Sequence, residues 1–410
     1  MRNFRFARQP LGNVQCAVIA AVLAFPVSVC AGDRLHEPVL IVANERPLDV
    51  GNTGNSSPFV ADFDGDGIKD LLVGQHRGTL LRVYRNLGSN AAPKFGDYHL
   101  FRDGDTSLSP HCSMIPQLVD LNGDGRMDLL TDGGNGTIAW FAGTEAGFSQ
   151  ADRLRRADGS AVRLRWLFSA FAYDWDRDGD LDVVCGGAPG SDYERRVFVL
   201  ENVTTDNRLA FAEPDGGIEL PQLALVPVDN QMPVVADWNN DGADDLVVGN
   251  QDGSVVWYAG KVRPEGEESS RAFDAPKKLV PPWEEGGQRG PMARICVVDW
   301  NEDGALDLLV GESGPIFERK LTDAEQQRVA EEKQGQGEDL RQWSKAYQEF
   351  CEHASASDLQ ANSKDSSLVE LRETLVKLRE RIDARFLRAN DLQEGTQQHG
   401  RIWLFLRKTD

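Results

Sequence analysis

The stretch ADFDGDGIKDLLVG, residues 61–74, places Asp62, Asp64, Asp66 and Asp70 within nine positions, with Gly67 at the sixth. Four carboxylates this close repel one another unless a cation sits among them. The spacing D-x-D-x-D-G-x-x-D is the first half of a calcium loop. Side chains 1, 3 and 5 turn inward, glycine at 6 permits the sharp turn, and position 7 offers its carbonyl. An EF-hand would also need Glu at position 12 and helices on both sides. Position 12 is Val73, and DLLVG reads as a short buried strand, so the EF-hand is rejected and Asp70 is read as the closing ligand. Hard oxygen ligands without His or Cys select Ca²⁺ over a transition metal. For one loop alone, the alternative is an ordinary Asp- and Gly-rich turn.

The pattern occurs five times. VDLNGDGRMDLL offers Asp120, Asn122, Asp124 and Asp128, and YDWDRDGDLDVV offers Asp174, Asp176, Asp178 and Asp182. ADWNNDGADDLVVG offers Asp237, Asn239, Asp241 and Asp245, and VDWNEDGALDLLVG offers Asp299, Asn301, Asp303 and Asp307. The sixth-place glycine returns as Gly125, Gly179, Gly242 and Gly304. Five copies in one register support up to five structural Ca²⁺ ions.

The elements that must hold these loops repeat with them. The first ligands follow one another at 58, 54, 63 and 62 residues. Before each loop lies a short apolar strand (SPFVAD, IPQLVD, MPVVAD, RICVVD), and after it a second such as DLLVG. A turn and a third strand follow (GTLLRVYRN, GTIAWFAG, GSVVWYAG), and then a more irregular fourth segment. Four short strands per unit, repeated radially, are the signature of propeller blades. The chain is therefore read as all-β, a five-bladed β-propeller.

With these motifs the chain resembles the FG-GAP/VCBS repeat family of secreted calcium-binding propellers. The resemblance covers about residues 57–315 plus the C-terminal strand. It rests on the acidic loop, the DLLVG strand and the asparagine-glycine turn of YRNLGSNAAPKF. It implies metal between the first two strands of a blade, at the twenty positions named above. It implies no reaction, because unrelated activities share the repeat.

Blade five departs from the pattern. After DLLVGESG comes a polar, helix-favouring stretch, and the third strand arrives only with HGRIWLFLRK. The reading is a helical insertion within one hairpin. Thr322 with Glu325, and Ser367 with Glu370, form capping boxes. Leu368, Leu371, Leu375, Leu378 and Ile382 give a coiled-coil seam. Leu340, Trp343, Tyr347 and Phe350 form the facing helix, and SASDLQANSKDS is the polar connection. This antiparallel hairpin is either an arm packed on itself or a surface for self-association or a partner. The segment HEPVLIVANERPLDV is expected to complete blade five as its fourth strand and so remove free sheet edges. The organisation is then a signal peptide at 1–31, a closing strand at 32–56, blades at 57–315, the insertion at 316–396 and the last strand at 397–410.

The N-terminal segment carries Arg2, Arg5 and Arg8, then AVIAAVLAFPVSV and VCAG, which reads as a cleavable secretory signal with a cut after Ala31. A lipoprotein anchored through Cys30 is the minor alternative. Cleavage takes the net charge from −21 to −24, and five bound Ca²⁺ would leave about −14. This balance disfavours nucleic acid and anionic membranes as partners. Cys112, Cys185, Cys296 and Cys351 lack CxxC spacing, and Cys185 and Cys296 lie in apolar runs suited to buried free thiols.

Trp175, Trp238 and Trp300 take the second place of three loops, where Phe63 and Leu121 stand in the others, which reads as packing. The same holds for Trp140, Trp257 and Trp403 in third strands. The face opposite the loops should carry the insertion beside His76, His111, Arg163, Arg165, Trp166, Gln231, Arg289 and Arg294. No nucleophile elbow, HExxH motif or separate carboxylate pair stands out. The expected function is a secreted or periplasmic module that binds a protein or glycan at that face. The alternative is a carbohydrate-active lyase or hydrolase using the same face, which would need a convergent acid and base.

Overall fold

The computed structural model describes residues 35–409 except 52–53, 76–80, 102–114, 135, 146, 150, 190–194, 206–207, 215–216, 219, 222–230, 262–270, 285–288, 316–320, 354–365 and 393–397. The signal-peptide segment with Cys30, and His76, His111, Cys112 and most of the polar connection between the helices, lie outside the described residues. So do the side chains of Tyr347, Phe350 and Cys351.

Five sheets make five blades, antiparallel except at the outer edge of blade one, where a small hairpin of Val42–Ala43 and Arg46–Pro47 joins through a parallel pairing of Ala43 with Phe95. Blade one pairs Ser56–Ala61, Asp70–Gln75, Leu81–Asn86 and Phe95–Leu100. Blade two pairs Gln117–Val119, Asp128–Gly134, Thr137–Phe141 and Asp152–Arg153. Blade three has Trp166–Tyr173, Asp182–Ala188 and Arg196–Leu200, followed among the described residues by isolated bridges such as Asn202 to Phe211. Blade four has Met232–Ala236, Asp245–Gly249, Val255–Tyr258 and Lys277–Val280. Blade five has Arg294–Val298, Asp307–Gly311 and Ile402–Phe405, and its outer strand is Val39–Leu40. Val39 faces Leu404 and Leu40 faces Trp403, so a segment that precedes blade one is stitched into blade five.

The second strands are buried along their whole length because each blade is covered on both faces. The core accordingly divides into five apolar clusters, each between neighbouring blades. Leu72, Val83, Leu129 and Phe141 join blades one and two, and Ile138, Val183 and Phe198 join two and three. Val184, Val248 and Val256 join three and four, and Val247, Val255, Leu308 and Phe405 join four and five. Leu71, Val73, Leu309 and Leu404 join five and one, which closes the ring.

Close approach between blades has a residue-level cause. A Cβ on Gly186 would come within 1.8 Å of Gln231 O, on Gly249 within 2.1 Å of Ala293 O, and on Gly311 within 2.1 Å of Ser56 O. Each glycine stands four residues after the last aspartate of its loop, and each carbonyl begins the first strand of the next blade. The terminal glycine of LVVG and LLVG is there so that the next blade's backbone can touch it.

Inside the blade-five hairpin, between Asp307–Gly311 and Ile402–Phe405, lie α1 (Asp323–His353) and α2 (Ser366–Leu392). The Thr322–Glu325 capping box forms, with Thr322 N–H donating to Glu325 Oε2 at 2.8 Å and Glu325 N–H to Thr322 Oγ1 at 3.3 Å. The seam buries Trp343, Ala346, Leu368, Leu375, Leu378 and Ile382, with Leu340 and Leu371 packed beside them. Arg381 and Arg385 reach Asp339 across the seam at 2.8 and 2.9 Å. The helices pack mainly on one another. No described helix is long and apolar enough to cross a membrane.

Candidate metal centre

All five acidic loops join the first and second strands of their blades, and all five fold alike. The position-one aspartate accepts the N–H of the position-six glycine, from Gly67 to Asp62 at 2.9 Å, Gly125 to Asp120 at 2.8 Å and Gly179 to Asp174 at 3.2 Å. Gly242 does so to Asp237 at 2.9 Å and Gly304 to Asp299 at 3.0 Å. The position-five aspartate accepts the N–H two residues on: Ile68 to Asp66, Arg126 to Asp124, Asp180 to Asp178, Ala243 to Asp241 and Ala305 to Asp303, at 2.8–3.0 Å. The sixth-place glycines have φ between 83° and 99°, the left-handed conformation that the turn demands. Position four is left-handed too. Gly65 and Gly123 serve in two loops, but Arg177, Asn240 and Glu302 hold it with φ of 67°, 60° and 58°.

The ninth-position aspartate behaves differently from the rest. Asp70, Asp128, Asp182, Asp245 and Asp307 are buried, whereas the position-three and position-five side chains are exposed or half-exposed. Each Oδ1 takes a backbone N–H where the third strand ends: Asn86 to Asp70 (2.8 Å), Gly143 to Asp128, Asn202 to Asp182, Gly260 to Asp245 and Arg407 to Asp307 (each 2.7 Å). In four of the five the other oxygen receives an N–H from inside the loop, from Leu121 to Asp128 at 3.0 Å, Trp175 to Asp182 at 2.9 Å, Asn239 to Asp245 at 3.3 Å and Trp300 to Asp307 at 3.1 Å, whereas Asp70 Oδ2 is buried without a hydrogen-bond donor. This residue therefore ties the loop to the third strand, whether or not it also meets a cation.

Burial raises the carboxyls of Asp70, Asp128, Asp245 and Asp307, and that of Asp182 to about 6. In loop three, burial and then the neighbouring Asp178, Asp176 and Asp174 carboxylates push Asp180 up to about 6 as well. Fixed negative charge without a partner is costly, and a divalent cation is what would relieve it. Asp174 Oδ1 and Asp180 Oδ1 are buried without a hydrogen-bond donor. Ligand oxygens of Asp62, Asp64 and Asp66 lie within 4.8 Å of one another, as do those of Asp174, Asp176 and Asp182. These all-oxygen sets, with an unpartnered buried oxygen on Asp174 in the second, fit a hard cation such as Ca²⁺.

Loops and core are coupled through position two. Phe63 stacks on Phe148 of the next blade with centroids 5.6 Å apart. Leu121 joins the cluster between blades two and three, Trp175 that between three and four, and the fully buried Trp238 that between four and five. Trp300 packs between five and one.

The opposite face separates into two kinds of residue. Arg289, Arg294 and Gln231 are buried and serve the scaffold. Arg289 donates to Gly253 O at 3.2 Å and Pro281 O at 2.8 Å. Arg294 donates to Phe168 O at 3.3 Å, with burial pulling its guanidinium down to about 10. Arg163, Arg165 and Trp166 are exposed. Sequence reasoning passed over Arg195, whose guanidinium lies 4.8 Å above the Trp166 ring. It also passed over a group at the root of the helical insertion. There, buried Glu312 accepts Gly290 N–H at 2.5 Å, and His399 Nδ1 stands 3.5 Å from Asp49 Oδ2. These have acid–base residue types, but Glu312 is 0 % and His399 5 % exposed, so both are closed to a substrate. Cys185 and Cys296 are buried free thiols, and burial raises both.

FG-GAP-like repeats match at residues 62–131, 120–185 and 237–310, which cover all five acidic loops and the strands between them in part. No curated protein matches the chain. Among solved structures, a lectin of Agrocybe aegerita, described by its specific recognition of non-reducing terminal N-acetylglucosamine, is similar to this chain at 17 % identity. That similarity has a TM-score of 0.33, over 64 % of this chain and 77 % of that one. By its blades, its loops and these matched repeats, the chain is a five-bladed β-propeller carrying FG-GAP-like repeats.

Proposed function

We propose that this protein is a secreted, calcium-stabilised propeller that acts as an interaction module for a protein or a glycan. The observation that carries the reading is the identity of the five loops. Each spends its carboxylates on the same backbone donors, its ninth aspartate on the same strand tie, and its second residue on the next inter-blade core. Machinery repeated five times around a ring is scaffold, and recognition then falls to features that occur once. The helical hairpin and the exposed Trp166–Arg195 pair are such features, and both belong to the face opposite the loops.

In this reading Ca²⁺ is held by the side chains at positions one, three, five and nine. It supplies positive charge that lets each loop close and seats the position-two wedge, so ion binding adds to folding stability. Residues 1–31 act as the export signal, which delivers the chain to a compartment where calcium is plentiful.

Two measurements test it. Purified protein with excess Ca²⁺ is applied to arrays of extracellular glycans and candidate surface proteins, and saturable binding that is lost in EDTA is expected. The same preparations are incubated with polysaccharides and assayed for new reducing ends or unsaturated products. Turnover would replace the binding-module reading with the enzyme.

A further inference from the structure

On the loop face, at the junction of blades two and three, lies a cleft of about 400 Å³. Its apolar wall is Trp140, Leu154 and Leu209, and its charged rim is Arg153, Arg155 and Arg208. We propose that this cleft binds a sugar ring bearing an anionic group, a carboxylate or a sulfate. The inference rests on the interaction-module reading for its biological sense, but it concerns a different face from the hairpin and can fail alone.

Trp140 is the first reason. It and Trp257 occupy the same register in their blades: Trp140 faces Leu130 and Trp257 faces Val247, each two residues after the loop's last aspartate. Their outer-strand partners differ. Trp257 faces Lys277, whose ammonium lies 4.9 Å from the ring centroid, and Trp257 is 3 % exposed. Trp140 faces Asp152, which turns to Arg155 at 3.0 Å. The ring that blade four caps with its own cation is half-buried in blade two and lines the cleft. A pyranose presents an apolar C–H face that suits such an indole, and compact sites of roughly 300–1,000 Å³ accept ligands of this size.

The guanidinium groups are the second reason. Arg155 Nη1 donates to Gly159 O at 3.1 Å. Arg208 Nη2 also lies over Gly159, where a Cβ would approach it to 2.7 Å. Two arginines thus converge on one glycine at a hairpin tip, and Arg153 stands on the adjoining strand with its Nε donating to Thr137 Oγ1 at 3.3 Å. Among the described residues that line the cleft, Asp152 is the one carboxylate against three arginines, with Asp158 close enough to Arg208 to feel its charge, in a chain of net charge −21. Convergent guanidinium forks match the planar oxygens of a carboxylate or the oxygens of a sulfate. An acidic peptide would supply the charge but no flat apolar face for Trp140. Asn122 of loop two reaches the same cleft and offers an amide to a ring hydroxyl.

The test uses the full chain in excess Ca²⁺. Tryptophan fluorescence and calorimetry follow titration with a hyaluronan tetrasaccharide (carboxylate, no sulfate), a carrageenan tetrasaccharide (sulfate, no carboxylate), neutral cellotetraose and oligoglutamate. At least one anionic sugar should bind, with affinity falling as salt rises, and cellotetraose should bind about tenfold more weakly or less. Which anionic arm binds tells carboxylate from sulfate. Arg208→Gln, whose side chain caps no strand, should weaken that binding about tenfold with an unchanged melting temperature, and Trp140→Ala should reduce it further. Equal binding of cellotetraose, tighter binding of oligoglutamate, absence of binding by both anionic sugars, or unchanged affinity in Arg208→Gln would each overturn the assignment. Glycan or protein binding that survives both substitutions would remove the cleft while leaving the interaction module standing.

Discussion

Loops one and three differ from loops two, four and five by a single choice at position three. The first pair carries aspartate there, and the other three carry Asn122, Asn239 and Asn301. In the asparagine loops the side-chain amide donates to the position-five carboxylate, at 3.4 Å to Asp124, 2.7 Å to Asp241 and 3.0 Å to Asp303. An internal donor thus offsets part of the negative charge. The all-aspartate loops have no such donor. In loop one, Arg85 leans onto Asp64 from the third strand. Loop three adds Asp180 to its four candidate ligands, and two of its oxygens are buried without a donor. The same loop fold thus carries an internal amide donor in one class, and in the other leaves its carboxylates to an arginine or to a proposed cation. In the calcium reading proposed above, loops one and three are therefore the places where the ion should matter most.

The largest test of that contrast is removal of the ion. Melting the protein in excess Ca²⁺ and in EDTA should show a calcium-selective loss that Mg²⁺ does not restore. A site held at a hundredfold its Kd contributes about 2.7 kcal/mol. An unchanged melting curve would sink the metal reading. Next in size is a control on packing. Gly249→Ala and Gly311→Ala force a methyl into the next blade's backbone and should each cost about 1–3 kcal/mol. The penalty should be equal with and without calcium, and a calcium-dependent one would mean that the blades are spaced by the loops rather than by these glycines.

Exchanging the loop classes sharpens the comparison further. Asp176→Asn gives loop three an internal donor and should raise stability in EDTA by about 1 kcal/mol while shrinking the gain from calcium. Asn239→Asp in loop four should do the reverse. If both move the EDTA and calcium curves together, the side chain at position three has nothing to do with the ion. The smallest effect is expected at position four. Glu302 holds a left-handed conformation that costs a non-glycine residue about 1 kcal/mol, so Glu302→Gly should recover up to that amount in urea titration.

What could be read from the sequence is what repeats at fixed spacing. The loops declared themselves because each position demands one residue type, and the placement of Phe63, Leu121 and the three loop tryptophans followed from recurrence in one register. The helical hairpin was legible because Leu368, Leu375, Leu378 and Ile382 keep one helical face. The close approach at Gly186, Gly249 and Gly311 was missed, although the signal was present: a glycine four residues after the last aspartate in four of the five blades, Gly74 included. Its meaning lies in a neighbouring blade's carbonyl, which no local pattern displays. Asp49, Glu312 and His399 meet from three distant segments, and Arg153, Arg155 and Arg208 from two blades. Neither group has a spacing to betray it. Trp140 packs on the core between blades two and three as its register implies, and only its cross-strand partner, Asp152 where Trp257 has Lys277, leaves it less covered.

Blade five is assembled from two remote stretches of chain, with Val39 opposite Leu404, residues 365 positions apart. A contact between such distant residues pays its closure entropy early and gains little until the intervening blades exist. Closure entropy alone therefore predicts that this pairing forms late, after the blades between the two strands. The helical hairpin sits in the very turn that delivers Ile402–Phe405 to that pairing. Tension applied to the hairpin by a bound partner would bear directly on the clasp. Whatever grips those helices holds the propeller by its fastening.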